Sequence, residues 1–154
     1  MDTFDQTDKK ILKVLQTDSR LNTKQIAAKI GLTVTPTYER LKKIEDSGVV
    51  KKYVALLDRD KIGKTIVAFI NVSLQLHSKP LINVFEKAIA KIPEVMECFH
   101  VAGNFDYLLK VVVNDMNSYQ NFLSNKLAVI ENIAHVQSSF VMTEIKYQTA
   151  YIID

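Results

Sequence analysis

Pro36 constrains this chain more than any other residue, because it fixes where a helix begins. A proline has no amide proton and a φ already set for helix, so it suits a first turn and breaks an interior. In the stretch Leu32-Thr33-Val34-Thr35-Pro36-Thr37-Tyr38-Glu39-Arg40-Leu41-Lys42-Lys43-Ile44 a capping threonine stands just ahead of it. The helix must run onward from there. Val34, Tyr38, Leu41 and Ile44 recur at three- and four-residue steps, which predicts a buried stripe. Pro36, Arg40 and Lys43 form a second stripe, with Thr35 and Thr37 at its N-terminal end. One apolar side, and one side of small hydroxyls and cations, suit a helix that lies in a groove of DNA.

The residues before it read as a support. Phe4, Ile11, Leu12 and Leu15 share a helical face, with Asp8 at the positive end, predicting a helix from Asp5 or Thr7 to Thr17. Asn22 or Thr23 caps a second short helix, Lys24 to Ile30, with Ile26, Ala27 and Ile30 inward; Gly31 then suits a helix C-terminus. Helix, tight glycine-containing turn and helix make a helix-turn-helix pattern whose second helix is the reader. The same periodicities would arise in any small helical bundle, so charge matters. Residues 1–65 hold 14 Lys/Arg against 9 Asp/Glu, a net +5, whereas residues 66–154 hold 6 against 8, a net −2, and the two sum to the chain's +3. A basic first portion points to nucleic acid. Thr23, Lys24, Thr33, Thr35, Pro36, Thr37, Tyr38, Arg40 and Lys43 are the candidate DNA-contacting residues. Arg40 can serve a base edge bidentately or clamp a phosphate. Lys9, Lys10 and Lys13 fit a solvated face or general phosphate attraction.

Gly48 closes the third helix, and Val49 to Leu57 is β-rich, as in the strand or wing of a winged helix. The charged connector Asp58 to Lys64 places a domain boundary near residue 65. Beyond it, Ile66 to Leu76 alternates as a strand. A helix follows from Pro80, with Leu81, Val84, Phe85, Ala88, Ile89 and Ile92 inward, and Pro93 ends it. Val95 to Ala102 and Tyr107 to Val113 are strands around the turn Gly103-Asn104-Phe105-Asp106. Met116 to Ile130 is a second amphipathic helix, and Ala134 to Ile145 a last strand. The expected fold is therefore α+β: a winged helix-turn-helix over residues 1–65, then a ferredoxin-like βαββαβ domain over residues 66–154. Tyr107 to Val113 is apolar on both sides, which implies a partner sheet and hence a homodimer.

Little in the chain points to catalysis. His77, His100 and His135 sit at no metal-ligand spacing, Cys98 lies within a strand as a core residue, and Ser138, Ser139 and Thr143 are strand hydroxyls. The reading is of a non-enzyme with no cofactor and no metal. No apolar run approaches the roughly 20 residues of a membrane span. The acidic N-terminus Met1-Asp2-Thr3-Phe4-Asp5 is unlike a signal peptide, so a cytoplasmic protein is expected.

Two sets of residues carry a family resemblance. Thr7-Asp8-Lys9-Lys10-Ile11-Leu12, Ile30-Gly31-Leu32-Thr33, Tyr38-Glu39-Arg40-Leu41 and Gly48-Val49-Val50 resemble the asnC-type helix-turn-helix. Val101-Ala102-Gly103-Asn104-Phe105-Asp106-Tyr107-Leu108-Leu109 resembles the most distinctive motif of the attached regulatory domain. The whole chain is similar to the Lrp/AsnC, or feast/famine, transcriptional regulators. That resemblance implies double-stranded DNA as a partner and homodimers that assemble further, often into octameric discs. It also implies a small effector, an amino acid such as leucine, methionine or asparagine, bound between dimers. It places the effector at Gly103, Asn104, Asp106 and Tyr107 and on the late strand at Val141 and Thr143. Asp106 would accept from an α-ammonium group, or else serve only the turn. Val34 stands where many members carry proline, so the lead-in to the reading helix keeps only its second proline. Two alternatives come from other classes: a siroheme-decarboxylase-like enzyme of the same two-domain pattern, with His100 beside the turn, and an architectural protein that wraps DNA.

Overall fold

The computed structural model describes residues 4–154; Met1, Asp2 and Thr3 of the acidic N-terminal stretch lie outside the described residues. The chain forms two compact units. One runs up to Leu56 and takes in Lys146–Asp154, and the other spans Leu57–Ile145. The divide therefore falls earlier than residue 65, and the C-terminal segment expected in the second domain groups with the first.

The first unit is three helices: α1 (Gln6–Thr17), α2 (Thr23–Ile30) and α3 (Val34–Asp46). Each of the first two begins in a capping box. The Asp5 carboxylate accepts from the amides of Thr7 and Asp8, both at 2.8 Å, while Asp8 accepts from the Asp5 amide. Asn22 and Gln25 exchange the equivalent pair on α2. Gly31, at φ +77°, ends α2 in the left-handed region. Ile11, Leu12, Leu15, Ile26 and Ile44 form the core, with Phe4, Leu41, Val50 and Ile153 packed around it. Ile153 arrives because the C-terminal segment is tied to α1. The Gln16 side-chain amide donates to the Tyr151 carbonyl at 3.2 Å and accepts from the Tyr151 amide at 2.7 Å.

The inner face of α3 is not the expected one. Thr37 and Ile44 are fully buried and Leu41 partly, whereas Val34 and Tyr38 are 46% and 57% exposed. The cause is Arg40. Its Nη1 donates to Asp5 Oδ2 and to Asp8 Oδ1, each at 2.6 Å, and the Asp8 side chain is only 2% exposed. A carboxylate so placed needs a cation within reach. Turning α3 to supply one rotates Val34 and Tyr38 out and brings Thr37 in, where its hydroxyl donates to the Thr33 carbonyl at 2.8 Å. Thr33 is the N-cap residue, but its side chain makes no capping bond. Val49 to Leu57 carries no strand, so the expected wing is an irregular segment.

The second unit is a four-stranded antiparallel sheet, β1 (Ile66–Leu74), β2 (Val95–His100), β3 (Tyr107–Val113) and β4 (Ile133–Phe140), in the order β2-β3-β1-β4. With α4 (Lys79–Ile89) and α5 (Met116–Phe122) between the strands, this is the split βαβ arrangement. Ala68, Ile70, Val72 and Leu74 of β1 and Tyr107, Leu109, Val111 and Val113 of β3 share a core with Phe85, Ile89, Tyr119, Phe122 and Leu127. The last helix is not continuous to Ile130. After Phe122 it widens into a π-helical turn over Leu123–Leu127, closed by the Ala128 amide on the Leu123 carbonyl at 2.9 Å. Phe122 and Leu127 are five residues apart and both fully buried. An i→i+5 turn returns both to one side, which an α-turn would not. Other departures are local. Val84 is 48% exposed rather than inward, Cys98 is exposed rather than core, and β4 stops at Phe140.

Phe122→Ala is expected to destabilise the chain by about 3–5 kcal/mol in urea unfolding, and Val84→Ala by under about 0.5 kcal/mol. Equal losses would contradict this packing. The amide of Asp8, and then Arg40, hold the Asp5 carboxyl below its usual 3.8. The stability that Asp5 confers is thus complete above that value and lost as pH falls through its lower, folded-state pKa. Denaturation midpoints measured between pH 5 and pH 2 should fall more steeply for the wild type than for Asp5→Asn.

Candidate nucleic-acid interface and effector loop

With Arg40 turned inward, the outward side of α3 carries Val34, Thr35, Tyr38, Glu39, Lys42 and Lys43, all exposed. These positions recur at three- and four-residue steps and form one continuous strip. Of the nine candidate DNA contacts, Thr33, Thr35, Tyr38 and Lys43 lie on or beside it. Lys24, in the first turn of α2, is exposed, while Thr23 and Pro36 are half-buried. Thr37 and Arg40 do not belong to the strip: one is buried, and the other is committed to Asp5 and Asp8. Sequence periodicity missed Lys42 and placed the polar strip one residue off. The signal was present in Asp8, an acid on the apolar face of α1 whose partner had to come from another helix. The first amides of α3 precede its hydrogen-bonded turns, and Thr33 gives them no side-chain cap, so the helix presents its positive end beside this strip.

The second candidate site is the turn between β2 and β3. Gly103 adopts φ +149°, a conformation that side chains rarely accept, and Asn104 beside it is exposed. Asp106 closes the turn. Its amide donates to the Val72 carbonyl and its carbonyl accepts from the Val101 amide, both at 2.9 Å. Its carboxylate accepts from the Leu74 amide at 2.7 Å and meets His77 Nε2 at 2.8 Å. The Leu74 amide, and then His77, hold this carboxyl below its ordinary value. Both oxygens are thus used within the chain, which fits the turn role of Asp106. Tyr107 is core, at 1% exposure: its hydroxyl donates to Glu86 at 2.9 Å and its ring packs on Phe85 and His100. Strand alternation turns Tyr107 under the helices, away from the surface where Asn104 lies.

Val141 and Thr143 are elsewhere. The Val141 amide donates to the Val67 carbonyl, whereas Asp106 bonds to Val72 of the same strand. Five residues of β1 separate these points, about 16 Å. Within one chain the two groups of candidate effector residues are not brought together.

The sheet face away from the helices carries Phe69, Phe99, Leu108 and Val112, with Lys110 Nζ on Glu97 Oε1 at 2.9 Å among them. Cys98 faces the other way, at a cavity of about 380 Å³ that Glu86, Met96, His100 and Tyr107 also line. Burial, then the Glu86 carboxylate, pushes its thiol up, away from the reactive thiolate. Among the described residues no group of three or more His, Cys, Asp or Glu is placed to hold a metal ion, and no helix is long and apolar enough to cross a membrane.

Comparison with known proteins matches both units. Residues 67–151 match the Lrp/AsnC ligand binding domain, and residues 4–51 a winged helix-turn-helix DNA-binding domain. The chain is 38% identical over 151 residues to the DNA-binding transcriptional activator DecR of Escherichia coli, covering 98% of this chain and 99% of that protein. It is 36% identical over 147 residues to the Bkd operon transcriptional regulator of Pseudomonas aeruginosa, covering 96% of each. A transcriptional regulator of Neisseria meningitidis, solved as an L-Met complex, superposes with a TM-score of 0.93 at 38% identity over 97% of both chains. An outward-facing reading helix is joined here to a sheet domain of the ligand-binding type. The chain belongs to the Lrp/AsnC family and is a DNA-binding transcriptional regulator with a ligand-binding domain.

Proposed function

We propose that paired copies of this chain read DNA through α3, and that an amino acid bound between copies sets their assembly and DNA affinity. The observation that carries the first part is the outward strip of α3, with Thr35, Tyr38, Lys42 and Lys43 available to bases and phosphates. Thr33 and Lys24 flank it and serve the backbone. Pairing uses the open sheet face, where Phe69, Phe99, Leu108 and Val112 would leave water. The Lys110–Glu97 pair within that face fixes its register. Two recognition helices then meet successive half-sites, which a single short helix cannot do tightly.

The effector site is shared between copies. Gly103 and Asn104 come from one chain, and Val141 and Thr143 from another, because in one chain they stand at opposite ends of β1. Asp106 shapes the loop through Leu74 and His77, so that backbone amides near Gly103 can meet the ligand carboxylate. A site completed only by assembly makes the ligand favour that assembly. The solved relative from Neisseria is a complex with L-Met, so L-methionine is the first probe, with leucine and asparagine beside it. The regulator acts in the cytoplasm and without catalysis.

Lys42→Ala should weaken binding to a selected DNA site about fivefold, reduce the salt dependence by about one phosphate contact, and leave the melting temperature unchanged. Arg40→Ala should instead lower the melting temperature, since it strips the cation from Asp5 and Asp8. An affinity loss confined to Arg40→Ala, with melting intact, would reverse the assignment of faces. For the effector, L-methionine should raise the wild-type melting temperature and shift its oligomer distribution in ultracentrifugation. Gly103→Val, strained at φ +149°, should abolish both responses. A retained response would place the ligand elsewhere.

A further inference from the structure

The outward strip of α3 contains one residue that simple electrostatics would keep off DNA. Glu39 is exposed within it, in the row that runs at four-residue steps from Thr35 to Lys43, beside Tyr38 and Lys42. The other acids nearby are engaged. Asp5 and Asp8 hold Arg40, Asp18 holds Arg20, and Glu45 accepts from the Tyr53 hydroxyl. Asp46 is exposed too, but it closes α3 at the end far from Thr33. Among the described residues Glu39 has no hydrogen-bond or ion-pair partner, Lys43 four residues on included. A carboxylate in that position repels phosphates and weakens every DNA complex unless it meets a donor.

The major groove offers such a donor selectively. Guanine presents two acceptors there, thymine presents one, and adenine sets its amino donor beside the N7 acceptor. Cytosine presents its N4 amino group with no acceptor beside it. Glu39 is the sixth residue of α3, within the N-terminal half that approaches base edges in helix-turn-helix complexes. Lys42, three residues on, stands on the same face to meet the flanking phosphate. We propose that Glu39 is a specificity residue: its carboxylate accepts from the N4 amino group of a cytosine in the half-site and repels the other three bases there. This rests on α3 being the DNA-reading helix. Thr35, Tyr38 and Lys42 contribute contact and affinity, while Glu39 contributes rejection.

The test is selection of the full chain against a randomised duplex library, followed by affinities for the winning site and its single-base variants. The wild type should prefer cytosine at one position of the half-site by about tenfold or more. Glu39→Ala should bind the duplexes that lack this cytosine more tightly, gain nothing on the cytosine site, and so lose that preference. Glu39→Gln presents an acceptor and a donor together, which match adenine, so it should shift the preference toward adenine at the same position. Neither variant should change the slope of affinity against salt by the full contact that Lys42→Ala removes. If Glu39→Ala tightens binding uniformly and keeps every base preference, Glu39 is a solvated residue and the inference is overturned, while the reading helix stands. If the wild type enriches no sequence at all, the assignment of α3 itself fails.

Discussion

The first unit depends on a single electrostatic need, that of Asp8. Its carboxylate is packed away between helices, and Arg40 reaches it from a residue thirty-two positions later in the chain. The guanidinium also meets Asp5, so one cation joins the N-terminal cap of α1 to the middle of α3. Removing one member of such a group leaves an uncompensated charge, which is why the arrangement tolerates little rotation. Everything outward on α3 follows from this tie. Val34 and Tyr38 face solvent because Arg40 and Thr37 do not. Arg40, one of the candidate DNA contacts, holds α3 in position through Asp5 and Asp8.

The second unit shows a comparable division between framework and function. Its sheet buries one side of β1 and β3, aided by the π-helical turn that returns Leu127 to the core. The other side keeps aromatic and aliphatic residues at its surface. The loop around Gly103 is framed by Asp106, whose carboxylate is spent on Leu74 and His77.

Much of this was legible in the residues. Asn22, Gly31 and Pro36 mark helix ends through local chemistry, and the structure ends its helices there. The strand alternation of Ile66–Leu74 and Tyr107–Val113 gave the sheet and its buried side. What escaped was set at a distance. Two stripes on α3 have acceptable spacing, and only the demand of Asp8, on another helix, decides between them. Val49 to Leu57 has the composition of a strand, but among the described residues no strand pairs with it, and β-propensity without a neighbour does not make a strand. Tyr107 stands next to the turn in sequence, yet alternation carries it under α4. Val141 and Thr143 stand apart from Gly103 within one chain, and the resemblance puts the effector between dimers, which a single chain does not contain.

The tie between Gln16 and Tyr151 has a consequence for how this protein can be taken apart. The helix-turn-helix unit is discontinuous in sequence: its last apolar contact, Ile153, comes from the segment that follows the regulatory domain in the chain. A fragment cut in the connector after Leu56 would therefore carry all three helices but leave part of their packing behind. Threading the chain out and back also means that the two units are joined by two covalent strands instead of one.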